Sequence, residues 1–441
     1  MDSVVVAIIA GLPWSLGRSP EAAVISSLPG ARPLAPAFPA LTCPAQATLT
    51  TGAPAARHGI VANGLFDRDY LRVSFWEQSG RLVQGTRVWQ DLKARKPGFT
   101  TALLFLQNSI GAGVDAVVTP APVHRADGSI VSSCYARPRG LYEELAAKLG
   151  PFDLAGYWGP MASIKSSRWI AAAAREVFLK LRPNLLFVYL PHLDYPLQRL
   201  GPDSPAIRDE LKLVDSLVGE IRDWSRAGGA ELVVLSDYAM TQVSGALMPN
   251  RILREAGLLE VREVDGREYL DVAASAAFAM ADHQVAHVYA RAGAVAAARA
   301  ALGGAPGIER ILGGPEKAEY GIDHPRSGDL VLLSSTGRWF AYYWWHDDAK
   351  APDFARTVDI HRKPGYDPCE LFFDPAARAI PLDPSLVKGS HGLAPRPVCV
   401  QRTGRDEREM AFIAGPPAHR RDGEFSEAGG VAGYLSDLFT T

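Results

Sequence analysis

Residues 184–202 read NLLFVYLPHLDYPLQRLGP. The run Leu185–Leu190 is apolar throughout, with no polar alternation, and predicts a central parallel strand covered on both faces. Helical spacing over residues 167–181 precedes it and ends near Arg182-Pro183. The same strand and helix alternation recurs outward from this stretch. Val4–Ile9 reads as a buried strand closed by Gly11 and Pro13, residues 21–28 as a short helix, and residues 45–51 as a helix emerging from a Pro-rich loop. Residues 101–106 are strand-like, 140–149 and 207–224 have helical spacing, and 231–235 form another buried strand. This order predicts an α/β fold with a mostly parallel central sheet flanked by helices.

The chain has 441 residues, which implies one large domain with an insertion, or two domains. After about Pro249 the texture changes to glycine-rich turns around LVLLSS and WFAYYWW, both expected to be strands. Residues 250–385 therefore read as an inserted cap subdomain, and residues 1–249 and 386–441 as the α/β core. A weakly helical tail closes the chain.

A net charge of -2 carries no electrostatic signature for nucleic acid or an anionic membrane. No run approaches the ~18 apolar residues of a membrane span, and the apolar N-terminus lacks the basic flank of a signal peptide. The four cysteines, Cys43, Cys134, Cys369 and Cys399, are far apart, with no CxxC pair. Reduced thiols and a cytoplasmic location are expected.

In open α/β sheets, ligands gather beyond the carboxyl ends of strands. His192, Asp194 and Gln198 follow the strand at Leu190, and Ser236-Asp237-Tyr238 follows the strand at Leu235. Residues 41–64, LTCPAQATLTTGAPAARHGIVANG, follow the first α/β unit, and His391 lies in GSHG near the end. Each has a plain structural reading. Thr42 is a good helix cap, Asp194 and Asp237 suit turns, and His391 suits an exposed loop.

In combination these segments resemble the type I phosphodiesterase/nucleotide pyrophosphatase branch of the alkaline phosphatase superfamily. The motif is Thr42-Cys43-Pro44, Thr51-Gly52, His58-Gly59-Ile60 and Asn63, followed in order by Asp194, Ser236-Asp237 and Gly389-Ser390-His391-Gly392. The resemblance implies a metal-dependent hydrolase of a phosphodiester or pyrophosphate acting through a phospho-threonine. Thr42 would be the nucleophile and Asn63 the donor to a phosphoryl oxygen. Two metals about 4 Å apart would serve the attacking and leaving oxygens. A small phosphorylated or nucleotide-like substrate is implied, and the oligomeric state is open.

The chain departs from that pattern at three positions. The first strand ends Ile9-Ala10-Gly11 where the family has Asp-Gly, Gln198 stands for a histidine, and Tyr238 stands for another. The ligand set that the resemblance then implies is Asp194, Gln198 and His391 for one metal, and Thr42 and Asp237 with Tyr238 for the other. Fewer imidazoles shift preference from Zn²⁺ toward Mn²⁺ or Mg²⁺, and leave one ion, two ions or none. Similar segments mark a divergent bacterial branch of the superfamily. A phosphoryl or nucleotidyl transferase and a non-catalytic phosphate-binding protein are the alternatives.

Further candidates lie in or near the cap. Arg362 and Lys363, in residues 358–368 (VDIHRKPGYDP), are expected to meet a substrate anion or to form a solvated turn before a strand at 370–372. Lys165 and Arg168 (KSSRW) face the alternative of a capped helix start. Asp282, His283 and His287 are possible replacement ligands. Adjacent residues on a strand point apart, however, so the structural role is favoured for them. Trp339 to Trp345 are expected in the subdomain core, with base stacking as the alternative.

Overall fold

The computed structural model describes residues 1–393, 407–418 and 426–439. Cys399 lies outside the described residues, as does part of the tail. The central sheet has eight strands, in the order Arg32–Leu34, Ala411–Ala414, Glu231–Ser236, Val4–Ile9, Leu185–Leu190, Thr101–Leu104, Ala116–Pro120 and Cys134–Arg137. The five strands from Glu231–Ser236 to Ala116–Pro120 pair in parallel, and antiparallel strands close both edges. All six residues of Val4–Ile9 are fully buried. That explains the continuous apolar runs: these strands are covered on both faces.

Helices Ile164–Leu181 and Ile207–Ala227 pack on the sheet and on each other. Helices Thr42–Thr51, Val88–Arg95 and Val431–Asp437 form another packed group. No described helix is long and apolar enough to cross a membrane. The helix at KSSRW starts at Ile164, and its Ser163 cap residue makes no side-chain cap bond.

A second, antiparallel sheet has four strands, in the order Ala277–Asp282, Val285–Ala290, Leu330–Ser334 and Ile308–Leu312. Its apolar core contains Trp339, Tyr342, Tyr343, Trp344 and Trp345, all buried, as the core reading of this aromatic run expects. Only Arg338–Phe340 of that run is a strand. The same core takes in Leu41, next to the Thr42 helix, and Ala62, Phe66 and Phe75. The expected strand at 370–372 is instead a 3₁₀ turn, Pro368–Leu371. Pro368 opens it and the Asp367 carboxylate accepts the Cys369 N–H, a capping arrangement that competes with a ladder.

The parallel strands end level. Ile9 pairs with Leu190 on one side and with Ser236 on the other. Ala10-Gly11, the turn into helix Asp194–Leu200, and Asp237-Tyr238 therefore leave the sheet side by side. Gly389–Ser390 crosses this edge, and Gly389 lies against the backbone of Leu197. A Cβ at Gly389 would fall 2.1 Å from the Leu197 carbonyl oxygen. Gly389→Ala is expected to lower unfolding free energy by about 1–3 kcal/mol, read as a lower urea midpoint. An unchanged midpoint would contradict this close approach.

Candidate active site

Four threonines occur in the helix Thr42–Thr51, and the structure gives them different tasks. Thr50 and Thr51 bond back to carbonyls one turn earlier. Thr48 accepts from His58 Nε2, because His58 Nδ1 already accepts the Ile60 N–H. Thr42 stands in the first turn but caps nothing: the cap residue is Leu41, with no side-chain cap bond. The Thr42 hydroxyl lies 3.2 Å from the Tyr238 hydroxyl. Gly52, with φ of 71°, ends the helix with a left-handed turn.

Tyr238 links Thr42 to the next strand end. Its hydroxyl donates to Asp194 Oδ1 at 3.2 Å. A phenol has one proton, so the Thr42 hydroxyl must donate in the Thr42–Tyr238 bond. Asp194 and Gln198 are four residues apart on one helix face, and Gln198 Nε2 donates to Asp194 Oδ2 at 2.5 Å. Gln198 Oε1 in turn accepts from Tyr366 at 2.9 Å. His391 donates through Nδ1 to the Ala40 carbonyl, which leaves its Nε2 as a lone pair 3.8 Å from Asp194 Oδ1. Asp237 accepts from the Gly11 and Tyr238 amides through Oδ1, while its buried Oδ2 has no partner.

Asn63 approaches from the other side of the helix start. Its Oδ1 accepts the Cys43 N–H at 2.9 Å, and its Nδ2 donates to Asp282 Oδ1 at 3.1 Å. Asp282 Oδ2 accepts the Asn63 backbone amide at 2.7 Å. The side-chain amide is thus fixed in orientation with one N–H left over. His283 donates through Nδ1 to Asp282, stacks on Tyr366 and packs at a tilt against His391.

The structure therefore brings Thr42, Asn63, Asp194, Gln198, Tyr238 and His391 together, with Asp237 joined to Tyr238. It also corrects the strand argument against Asp282 and His283. Asp282 ends a strand and pairs across it with Val285, so His283-Gln284 is a two-residue turn. His283 adopts φ of 58°, where such turns favour glycine. That strained turn is held by the Phe340 amide on the His283 carbonyl and by the Gln284 amide on the His391 carbonyl. A histidine in a two-residue hairpin loop was the available sequence signal. His287 is structural, held by the Val61 carbonyl and the Gly328 amide.

Arg362 and Lys363 stand apart from this cluster. Lys363 is buried and paired with Asp367 at 2.8 Å and Glu370 at 2.7 Å, so its charge is already matched. Arg362 is exposed and paired with Asp359 and Asp353.

Burial governs the electrostatics. It pushes the Asp194 carboxyl up to about 7, Asp282 up to about 6 and Asp237 well above the usual carboxylate range. It holds His391 and His283 well below the usual imidazole range, hence neutral. The site therefore carries less negative charge near neutrality than three exposed aspartates would.

A family model described as type I phosphodiesterase/nucleotide pyrophosphatase matches residues 24–367. A Schizosaccharomyces pombe protein described as an uncharacterized pyrophosphatase/phosphodiesterase is 23% identical over 231 residues. That match covers 48% of this chain and 38% of the relative, so the chain spans under half the length of the curated relative. Murine ectonucleotide pyrophosphatase/phosphodiesterase 5 is similar in structure, with a TM-score of 0.58 at 18% identity, over 99% of this chain and 94% of that one. An inactive threonine-to-alanine variant of the murine protein, in complex with AMP, has the same TM-score and identity over 99% and 95%. Phosphonoacetate hydrolase from Sinorhizobium meliloti, in complex with phosphonoacetate, has a TM-score of 0.61 at 15% identity, over 99% and 95%.

The raised Asp194 carboxyl sets the sign of a pH effect. Between its ordinary value of 3.8 and about 7, the folded chain holds a proton that the unfolded chain has released. This contribution is complete at low pH and is lost as pH rises through that window. Asp194→Asn is expected to flatten part of the decline in urea midpoint across the window. An unchanged slope would contradict the assignment.

Proposed function

The chain belongs to the type I phosphodiesterase/nucleotide pyrophosphatase family, a family of phosphoric ester hydrolases, and from this we propose that it cleaves a phosphodiester or pyrophosphate with Thr42 as nucleophile. The observation that carries the reading is the buried chain from the Thr42 hydroxyl through Tyr238 to Asp194, beside an Asn63 amide with one free N–H. Thr42 Oγ1 forms a bond to phosphorus as the bond to the leaving oxygen breaks. The Thr42 proton moves to the Tyr238 oxygen while the Tyr238 proton moves to Asp194. Burial holds the Tyr238 phenol well above its usual range, so it relays a proton and does not persist as a phenolate.

The phosphoryl group sits at the start of a ten-residue helix, where the helix dipole favours negative charge. The remaining Asn63 N–H donates to one phosphoryl oxygen. Water then attacks phosphorus as the bond from phosphorus to Thr42 Oγ1 breaks. The proton held on Asp194 returns through Tyr238 to Thr42, one water proton goes to the leaving oxygen expelled in the first step, and a phosphomonoester such as a nucleotide is released. The inactive threonine-to-alanine relative bound to AMP supports both the nucleophile type and the ligand class. The cap at 250–385 selects the substrate in this reading, because its Asp282-His283 turn reaches the site.

Members of the family generally depend on a divalent metal. The side chains here do not fit a metal pair. Ala10 offers no donor, and Gln198 and Tyr238 stand where imidazoles are expected. The oxygens of Asp194 are already engaged. Among the described residues no three His, Cys, Asp or Glu side chains form a metal-holding group. The steps above therefore use only the chain's own residues.

Thr42→Ala is expected to abolish turnover of bis-p-nitrophenyl phosphate and the mass shift of a trapped phospho-threonine. Wild-type rates in this variant would overturn the nucleophile. Tyr238→Phe removes the relay but keeps the ring, and is expected to lower kcat by about 10²–10⁴. Asn63→Ala is expected to cost about 10²–10³ in kcat. Unchanged kcat in either would remove that residue from its assigned role.

A further inference from the structure

The donors that a metal pair would need have been drawn into a closed circuit of side chains. Tyr238 stacks on His391, with centroids 3.7 Å apart and an interplanar angle of 6°. His391 packs on His283 at 3.9 Å, and His283 stacks on Tyr366 at 3.7 Å. The ends of this run of rings are joined by hydrogen bonds. The Tyr366 hydroxyl donates to Gln198 Oε1, Gln198 Nε2 donates to Asp194, and the Tyr238 hydroxyl donates to Asp194. All six side chains are buried.

We propose that this circuit replaces the metal pair, so that Tyr238 and Gln198 take up the coordinating oxygens of Asp194 and the rings fill the space beside them. The proposal rests on the phosphoryl-transfer reading only in treating Thr42 as the group the circuit serves. Each altered position contributes. Tyr238 supplies both a ring for the stack and a hydroxyl that reaches Thr42 and Asp194 together, which an imidazole at that position would direct to a metal. Gln198 donates to Asp194 through its amide N–H and accepts from Tyr366 through its carbonyl, so it bridges the two. Ala10 removes a carboxylate that would stand unpaired next to Asp237.

Besides the His391 Nε2 lone pair, two buried atoms in the site lack hydrogen-bond partners. Asp237 Oδ2 is one. At neighbouring Gly11, the atoms nearest to where a Cβ would stand are carbons of Leu197, Met240 and the Tyr238 ring. His283 Nε2 is the other, on a ring packed against Tyr366 and His391. A metal seated on Asp194 would compete with the Gln198 and Tyr238 bonds to its two oxygens.

The test is metal content, measured apart from activity. Wild-type protein, purified without chelator, is incubated with excess Zn²⁺ or Mn²⁺, passed through gel filtration and analysed by plasma mass spectrometry. Metal well below one equivalent per chain is expected, with no thermal shift on adding either ion. The triple variant Ala10→Asp, Gln198→His, Tyr238→His is expected to retain bound Zn²⁺ and to gain a Zn²⁺-dependent thermal shift. Near-stoichiometric metal in the wild type that is lost in Asp194→Asn and in His391→Ala would overturn the proposal. So would phosphodiester turnover by the wild type that chelator removes and metal restores. Turnover that persists in chelator supports it. A metal-free wild type without turnover supports the replacement and removes the hydrolase reading instead, so the two failures are distinguishable.

Discussion

The in-register parallel pairing of Val4–Ile9 with Leu185–Leu190 and Glu231–Ser236 is the constraint on which the site depends. Ladder bonds between fully buried strands have no competing water, so the register cannot slip without exposing apolar side chains and unpairing backbone groups. Level strand ends follow from that register. They place Asp194 and Asp237-Tyr238 on one edge, facing the start of the Thr42 helix. One segment more than 140 residues from any of these, residues 389–391, is then drawn across the same edge.

Inside that edge the physics is that of a buried polar network. Asp194, Gln198, Tyr238 and Tyr366 each have partners for the atoms that define the circuit, which is the condition under which a buried network rigidifies a site. Removing one member leaves others unsatisfied, and that cost exceeds the net worth of any one bond. The aromatic stack adds shape: with the rings of His283 and His391 packed between two tyrosines, the imidazoles are held neutral by burial and fixed in orientation.

Much of this was legible before the structure. The apolar runs at Val4–Ile9 and Leu185–Leu190 mark buried strands because period and length are local properties. Helix ends were less clear: Thr42 already lies inside the helix, and the long helix extends to Ala227. The spacing from Thr42 to Asn63, with Asp194, Asp237 and His391 in order, marked most of the cluster. Arg362 and Lys363 were visible as charges, but charge in a sequence does not reveal its partner. Lys363 is matched by two buried acids, one of them seven residues ahead. In sequence, Asp282 and His283 read as structural because neighbours on a strand point apart, and the turn at His283 removes that premise.

The sequence by itself determined most of the element types and their order, since these are carried by local periodicity. The segment from Thr42 to Asn63, and the departures at Ala10, Gln198 and Tyr238, are legible in it only through the family resemblance. Only the tertiary structure decided what the remaining donors do. Whether Asp194 is open to a metal depends on Gln198, on Tyr238 forty-four residues away and on Tyr366 far beyond, and bonds at that separation are set by register and packing. Asp194 takes its hydrogen bonds from what the fold brings near, a phenol and a side-chain amide.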